Sequence, residues 1–246
     1  MPPKTHSLQP LDSSNKQPLY LQVQQALRRS VDSGTYQSNE ALPPERQIAE
    51  ELGVSRITVR KAIEGLIQEG LLFSRQGSGT FVRPRIEKNF AKISSFSEDM
   101  RARGRTPSSS WISKTQGLVS PDEALALNLS PGTPVFRFHR LRYADNQPML
   151  VEYATIVAEF LPSLDSVESS LYETLGQSGY RPVRALQRLR ALLLDEKKAN
   201  LLNAKAGDAG LLVERIGFLK DGRAVEFCQS FFRGDTYDFI AELSDI

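Results

Sequence analysis

Apolar residues recur along this chain with two different periods, and the change of period divides it. From position 18 they fall three or four apart: Leu19, Val23, Ala26, Leu27 and Val31 make one helical stripe that ends at Gly34. A second helix is expected from Pro44, because proline suits a first helical turn. It turns Ile48, Ala49 and Leu52 inward and stops at Gly53, a residue that accepts a left-handed backbone. Ser55 is placed to cap a third helix, in which Val59, Ala62, Ile63, Leu66 and Ile67 face inward before Gly70 closes it. Leu71-Leu72-Phe73 then reads as a strand, Arg75-Gln76-Gly77-Ser78-Gly79 as a turn and Thr80-Phe81-Val82 as the returning strand. Two short helices around a glycine turn, followed by a hairpin, predict a winged helix-turn-helix over 17–83. Residues 1–16 are rich in Pro, Ser, Gln and Asn and read as a flexible arm; 84–93 reads as a linker.

Beyond position 94 the period shortens to two. Strands are expected at 111–119, 134–144, 149–157, 183–194, 211–219 and 224–232, and helices at 97–103, 121–127, 170–178 and 195–203. Asp145-Asn146-Gln147 and Asp221-Gly222 mark hairpin turns, the second with type I′ chemistry. Strands outnumber helices and are joined mostly by hairpins. The chain is therefore expected to be α+β, with residues 94–246 forming an antiparallel sheet carrying helices.

Bulk composition adds little to this picture. At 246 residues, 40 % hydrophobic and 24 % charged, the chain suits two globular domains. It has no apolar run long enough for a membrane span and no secretory leader pattern at its start. One cysteine, Cys228, excludes an internal disulfide and suits a reducing cytoplasm. Two histidines, His6 and His139, leave no metal cluster in view, and no cofactor motif is present. Residues 1–83 carry ten Lys/Arg against eight Asp/Glu and the rest carries 21 of each, so the basic excess is slight but lies in the first domain.

Charge matters more by position. In a helix-turn-helix the second helix enters the major groove with its N-terminal residues at the base edges. Here those are Ser55, Arg56, Ile57, Thr58 and Arg60; the two arginines, four apart, share one side of the helix. In the second domain Arg140 and Arg142 alternate with Leu141 and share a face with Phe136 and Phe138, while Glu152 and Glu226 sit inside apolar strands. Buried charge is expensive unless paired. Two readings follow: an exposed or self-paired set, or a site for a polar ligand. Register bears on the choice. A two-residue turn at Asp145-Asn146 sets Arg140 and Arg142 opposite Val151 and Met149 and turns Glu152 away, so convergence needs a bulge or a loop of another parity.

The ordered run Leu42-Pro43-Pro44-Glu45-Arg46, Leu52-Gly53-Val54-Ser55-Arg56-Ile57-Thr58-Val59-Arg60, Glu69-Gly70-Leu71-Leu72 and Gln76-Gly77-Ser78-Gly79-Thr80-Phe81-Val82 resembles the GntR family of winged-helix regulators. That resemblance implies operator contacts from Arg46, Ser55, Arg56, Thr58, Arg60, Gln76 and Gly77. The second domain resembles the effector (UTRA) domain of the HutC-type branch, whose fold is similar to chorismate lyase. The resemblance rests on Ser95-Phe96-Ser97-Glu98-Asp99-Met100, Arg140-x-Arg142, Pro148-Met149, Glu152, Ser170-Leu171-Tyr172, Val225-Glu226 and Arg233-Gly234-Asp235. The pattern is most similar to N-acetylglucosamine-utilisation repressors, which respond to phosphorylated amino sugars. By resemblance, Ser95, Phe96, Arg140, Ser170 and Tyr172 lie near phosphate with Arg142 beside them, and Glu152 and Glu226 lie at the sugar. Close relatives often have a tyrosine where this chain has Phe232, which removes one hydroxyl from the site.

The resemblance implies a cytoplasmic, homodimeric repressor on a palindromic double-stranded operator, controlled by N-acetylglucosamine 6-phosphate or glucosamine 6-phosphate and without catalytic activity. Other readings stay open. One is a regulator of the same type answering another small anionic metabolite. A second is a constitutive DNA binder whose second domain only dimerises. A third is a lyase-like enzyme with Glu152 and Glu226 as acid and base, and a fourth a winged helix that binds protein. His139 reads as a packed or surface side chain.

Overall fold

The computed structural model describes residues 8–12 and 17–242, and the chain divides between Ile86 and Glu87 into two compact units. Most of the expected arm, His6 included, lies outside the described residues.

The first unit packs three helices, α1 (Leu19–Asp32), α2 (Glu45–Leu52) and α3 (Arg56–Gln68), with the hairpin β1 (Leu72–Arg75) and β2 (Gly79–Val82). Gly53, at φ 65°, ends α2 in the left-handed conformation, and Ser55 begins α3 by accepting the Thr58 N–H at 3.1 Å. Val23, Leu27, Ile48, Val59, Leu66 and Leu72, all fully buried, form the core. Leu8 is buried in it too, and Leu11 packs alongside; these two belong to the stretch that composition alone marks as an arm.

The second unit is built on a six-stranded antiparallel sheet in the order β4-β5-β6-β9-β8-β7, with β4 (Pro107–Leu118), β5 (Pro134–Ala144), β6 (Gln147–Val157), β7 (Arg184–Leu193), β8 (Ala209–Phe218) and β9 (Ala224–Arg233). Helices α4 (Phe96–Ala102), α5 (Pro121–Leu127), α6 (Leu171–Gln177) and α7 (Glu196–Leu201) lie between the strands in sequence. Leu171, Tyr172 and Leu175 of α6 join Phe136, Phe138, Ala154, Ile156 and Cys228 in the main core. On the strands' other side Leu141 and Val151 pack with Ala199 and Leu202.

Three further features depart from the sequence pattern. Within the expected linker, β3 (Ile86–Asn89) pairs with β10 (Tyr237–Ile240) in a separate two-stranded sheet; each has only four residues, too few for a periodic signal. β4 begins at Pro107, because Ser108, Ser109 and Ser110 pair with β5 without any apolar alternation to announce them. The Asp221-Gly222 turn is not type I′. Asp221 keeps a negative φ and only Gly222 is left-handed, at φ 89°; Gly222 N–H donates to Leu219 O at 3.1 Å. This is a type I turn followed by a left-handed glycine, the geometry of a three-residue hairpin loop. Asp145 (φ 52°) and Asn146 (φ 63°), by contrast, are both left-handed and make the two-residue type I′ turn.

Leu8→Ala is expected to lower the stability of the first unit by about 2–3 kcal/mol in urea denaturation, as for other buried leucines. An unchanged midpoint would return this stretch to a free arm.

Candidate functional sites

A single irregularity assembles the second unit's charged residues. After the two-residue turn Ala144 pairs with Gln147 and Tyr143 with Pro148, but the register then shifts so that Arg142 faces Leu150 and Arg140 faces Glu152. Met149 is the extra residue of a bulge, and it reverses the parity that would have turned Glu152 away. The same face continues across the sheet from Glu152 to Ser230 and Val213.

All eight residues that the resemblance nominates, Ser95, Phe96, Arg140, Arg142, Glu152, Ser170, Tyr172 and Glu226, line one cavity under α4 and α6. Arg140 donates from Nε to Glu152 Oε1 at 2.6 Å and from Nη1 to Ser169 O at 3.1 Å. Arg142 donates to Ser169 O at 2.8 Å and Ser97 Oγ at 2.7 Å, and its guanidinium lies over the Phe96 ring at 4.7 Å. Its Nε has no hydrogen-bond partner among the described residues, although the residue is only 2 % exposed. Tyr172 donates to Glu226 Oε2 at 2.7 Å. Ser95 and Ser170 cap α4 and α6, accepting backbone N–H groups of Glu98 at 3.2 Å and Glu173 at 3.4 Å. Phe232 also lines the cavity and packs edge-on against Tyr237, whose centroid is 4.6 Å away.

Three charged lining residues, Lys88, Asp99 and Arg215, stand outside that set. Arg215 donates to Ser94 O at 3.1 Å, to Tyr172 OH at 3.2 Å and from Nε to Gln187 Oε1 at 2.9 Å. It carries the same signal as Arg140, a charge inside an apolar strand, in Val213-Glu214-Arg215-Ile216. Lys88 lies in the unpredicted strand β3, where no pattern marks it.

Electrostatics separates the two glutamates. Burial pushes the Glu152 carboxyl up, but the Arg140 and Arg142 guanidiniums outweigh it and hold the group below its ordinary value. Burial dominates at Glu226 and raises its carboxyl, with Arg215 and the Tyr172 hydroxyl offsetting only part. Burial, reinforced by neighbouring Arg140, lowers Arg142 to about 10. The cavity lining holds four cationic side chains, Lys88, Arg140, Arg142 and Arg215, against three carboxylates.

On the first unit the nominated DNA contacts are exposed, except Thr58, which is half-buried. Side chains of Arg46, Arg56 and Arg60 are 77 %, 62 % and 56 % accessible. Arg60 is held bidentately by Glu45, at 3.2 Å to Oε1 and 2.9 Å to Oε2, and Arg56 approaches the same carboxylate at 4.0 Å. Glu45, beside the nominated Arg46, was not among the residues the pattern marked for DNA. Ser55 Oγ lies 2.8 Å from Thr58 Oγ1, and Ile57 is 79 % exposed on the same turn. At the wing tip Ser78 N–H donates to Arg75 O at 3.0 Å around Gln76 and Gly77; Gly77, at φ 74°, meets the left-handed demand of a type II turn.

Residues 102–238 match the UTRA domain model, and residues 19–82 match that of the bacterial regulatory proteins of the gntR family. Over 235 residues the chain is 37 % identical to the HTH-type transcriptional repressor NagR of Bacillus subtilis, covering 92 % of this chain and 96 % of that one. The chain belongs to the GntR family. It is 30 % identical to the mannosyl-D-glycerate transport/metabolism system repressor MngR of Escherichia coli, covering 90 % and 94 % of the two chains. The crystal structure of PhnF from Mycobacterium smegmatis superposes with a TM-score of 0.63 at 27 % identity, covering 90 % of this chain and 99 % of that one. This GntR-family chain is thus a transcription regulator of the HutC type, with a DNA-binding winged helix-turn-helix and a small-molecule-binding UTRA domain. Its matched relatives are regulators rather than enzymes. Among the described residues no helix is long and apolar enough to cross a membrane, and no group of His, Cys, Asp and Glu is placed to hold a metal.

The two glutamates should answer oppositely to neutralisation. Glu152→Gln strands Arg140 and is expected to cost about 3–5 kcal/mol at pH 7. Because Glu152's folded pKa is lowered, its contribution is complete above the ordinary value of 4.5 and fades as pH falls through the folded one. Glu226's folded pKa is raised, so its burial penalises the fold as pH climbs above 4.5; Glu226→Gln should match or exceed wild-type stability at pH 7. Denaturant midpoints of both variants between pH 3 and 8 test this pairing, and equal losses at pH 7 would refute it.

Proposed function

We propose that this regulator is a homodimeric repressor released from a palindromic operator by a phosphorylated amino sugar, N-acetylglucosamine 6-phosphate or glucosamine 6-phosphate. The observation that carries the reading is the cavity's excess of buried cation, with Arg142 Nε unspent beside Arg140. A phosphate dianion suits guanidinium forks with neutral donors around them, here from Ser95, Ser170 and Tyr172. Phe96 stacks on Arg142 and so fixes one wall of that anion subsite. Glu152 and Glu226 are carboxylates that accept sugar hydroxyl or amino hydrogens. Two relatives also concern sugar derivatives: MngR, the mannosyl-D-glycerate transport/metabolism system repressor, and a probable fructoselysine utilization operon transcriptional repressor of Shigella flexneri, 27 % identical.

In the DNA-bound state Arg46, Arg56 and Arg60 divide between phosphates and guanine edges, Ser55, Thr58 and Gln76 reach phosphate oxygens, and Gly77 lets the wing backbone approach. The effector shifts operator affinity only by as much as it prefers one head arrangement over the other.

A second reading has an observation of its own. Arg140–Glu152 and Tyr172–Glu226 satisfy one another without a ligand, as expected of a domain that only dimerises. A thermal-shift screen of sugar phosphates, with and without operator DNA, separates the two. At a hundredfold excess over Kd, binding adds about 2.7 kcal/mol, a rise of roughly 5–10 °C in Tm. Arg140→Ala should lose this shift and keep operator binding. No shift with any sugar phosphate would favour the dimerising domain. Arg56→Ala is expected to weaken operator binding by about 1–3 kcal/mol; unchanged affinity and salt slope would remove it from the interface.

A further inference from the structure

Strand β3 carries a charge where its pattern calls for an apolar residue. Ile86 and Lys88 are its buried positions and Glu87 and Asn89 its exposed ones, yet Lys88 is only 6 % accessible. Its ammonium pairs with Asp99 of α4, and both side chains line the cavity with Arg140 and Arg142. Burial lowers the Lys88 pKa further than Asp99 restores it, and Arg215 and Arg103 add repulsion. An apolar residue would fill a core position without the several kcal/mol that desolvating an ion costs. The lysine is thus under-compensated at the wall of a cation-rich cavity.

Its place in the chain gives that lysine a second consequence. The first unit ends at Ile86, two residues before it. The segment holding Lys88 is tied by a four-residue pairing with β10, Phe90 N–H to Ile240 O at 2.7 Å, an edge-on contact of the Phe90 and Phe239 rings at 5.8 Å, Gln187 Nε2 to Phe90 O at 3.0 Å, and Arg103 to Glu87 O. A two-stranded sheet is marginal by itself. A force applied to Lys88 Nζ therefore acts on a short strand whose backbone leads, within two residues, into the DNA-binding unit.

We propose that Lys88 is an effector-binding residue of the cavity, its ammonium shared between Asp99 and a bound phosphate, and that this contact transmits occupancy to the connector strand. Lysine has three ammonium donors, so a phosphate oxygen engages Nζ alongside Asp99 and draws it toward the ligand. The shift in Lys88 then alters the pairing of β3 with β10. This rests on the sugar-phosphate reading of the site, and it distinguishes Lys88 from Arg140, which holds the ligand from the rigid centre of the six-stranded sheet.

The test uses the full chain with glucosamine 6-phosphate, N-acetylglucosamine 6-phosphate and inorganic phosphate as probes. Calorimetry reads affinity, and hydrogen exchange of amides 87–90 reads the connector. In wild type, a probe that binds should change connector exchange by about tenfold. Lys88→Met should bind that probe about three- to tenfold more weakly, having lost one charge-assisted bond, and its connector exchange should no longer respond. Lys88→Arg should recover the response, which a filler of the core would not require. If Lys88→Met does not fold because Asp99 is stranded, the double variant K88M/D99N leaves neither charge alone and is read the same way. A connector response in Lys88→Met as large as in wild type overturns the inference and leaves the sugar-phosphate site intact. Wild type that binds none of the three probes overturns the sugar-phosphate reading and this inference with it.

Discussion

The effector domain depends on the Arg140–Glu152 pair, a charged contact across two neighbouring central strands. Removing two ions from water costs several kcal/mol for each, so the pair persists only with close geometry and further hydrogen bonds. Both conditions hold: Arg140 adds the Ser169 carbonyl, and its guanidinium lies 5.0 Å from the Trp111 ring centroid. Ser169 also receives Arg142, so one carbonyl just ahead of α6 anchors two arginines of β5. The helix and the sheet are thereby drawn together over a polar cavity rather than a dry core. Such a network does little for net stability relative to an apolar one. On the proposed reading its place in the fold follows from what it leaves available, cations that a suitable anion can claim.

The two units solve the problem of holding arginines in opposite ways. In the effector domain burial does the positioning, and the guanidiniums lie between sheet and helices. In the winged helix the arginines must stay accessible, and a partly exposed carboxylate, Glu45, holds them instead. An exposed ion pair is worth little in stability, but a bidentate one limits the directions a guanidinium can take. On the proposed reading Arg60 is in that state before DNA arrives, so part of the ordering cost of binding is met in the free protein.

From the first unit the chain runs through residues 83–85 into β3, whose Lys88 lines the cavity. On the role proposed for Lys88 this strand answers to the state of the cavity, and allosteric coupling needs only such an element with two arrangements of unequal affinity for the ligand. Couplings of this kind are typically about 1–3 kcal/mol, comparable to one charge-assisted hydrogen bond.

Local chemistry determined much of this protein. The winged helix is legible because its signals act over a few residues: the apolar stripe of α1, the glycine at 53, the cap at Ser55 and the glycines of the wing. Strand positions are legible for the same reason, as are the arginines and glutamates that interrupt them. Their meeting in one place was not. Side chains on a strand change face with each residue, so one extra residue at Met149 decided whether Glu152 met Arg140 or turned away, and that insertion is settled by pairing between strands. The same limit hid Lys88 and Arg215: four residues of β3 are too few to show a period, and Arg215 has meaning only once Tyr172 and Ser94, distant in sequence, are beside it. Sequence alone determined which residues bear charge within apolar strands; the tertiary pairing decided which of those charges face one another, because that depends on contacts no local window contains.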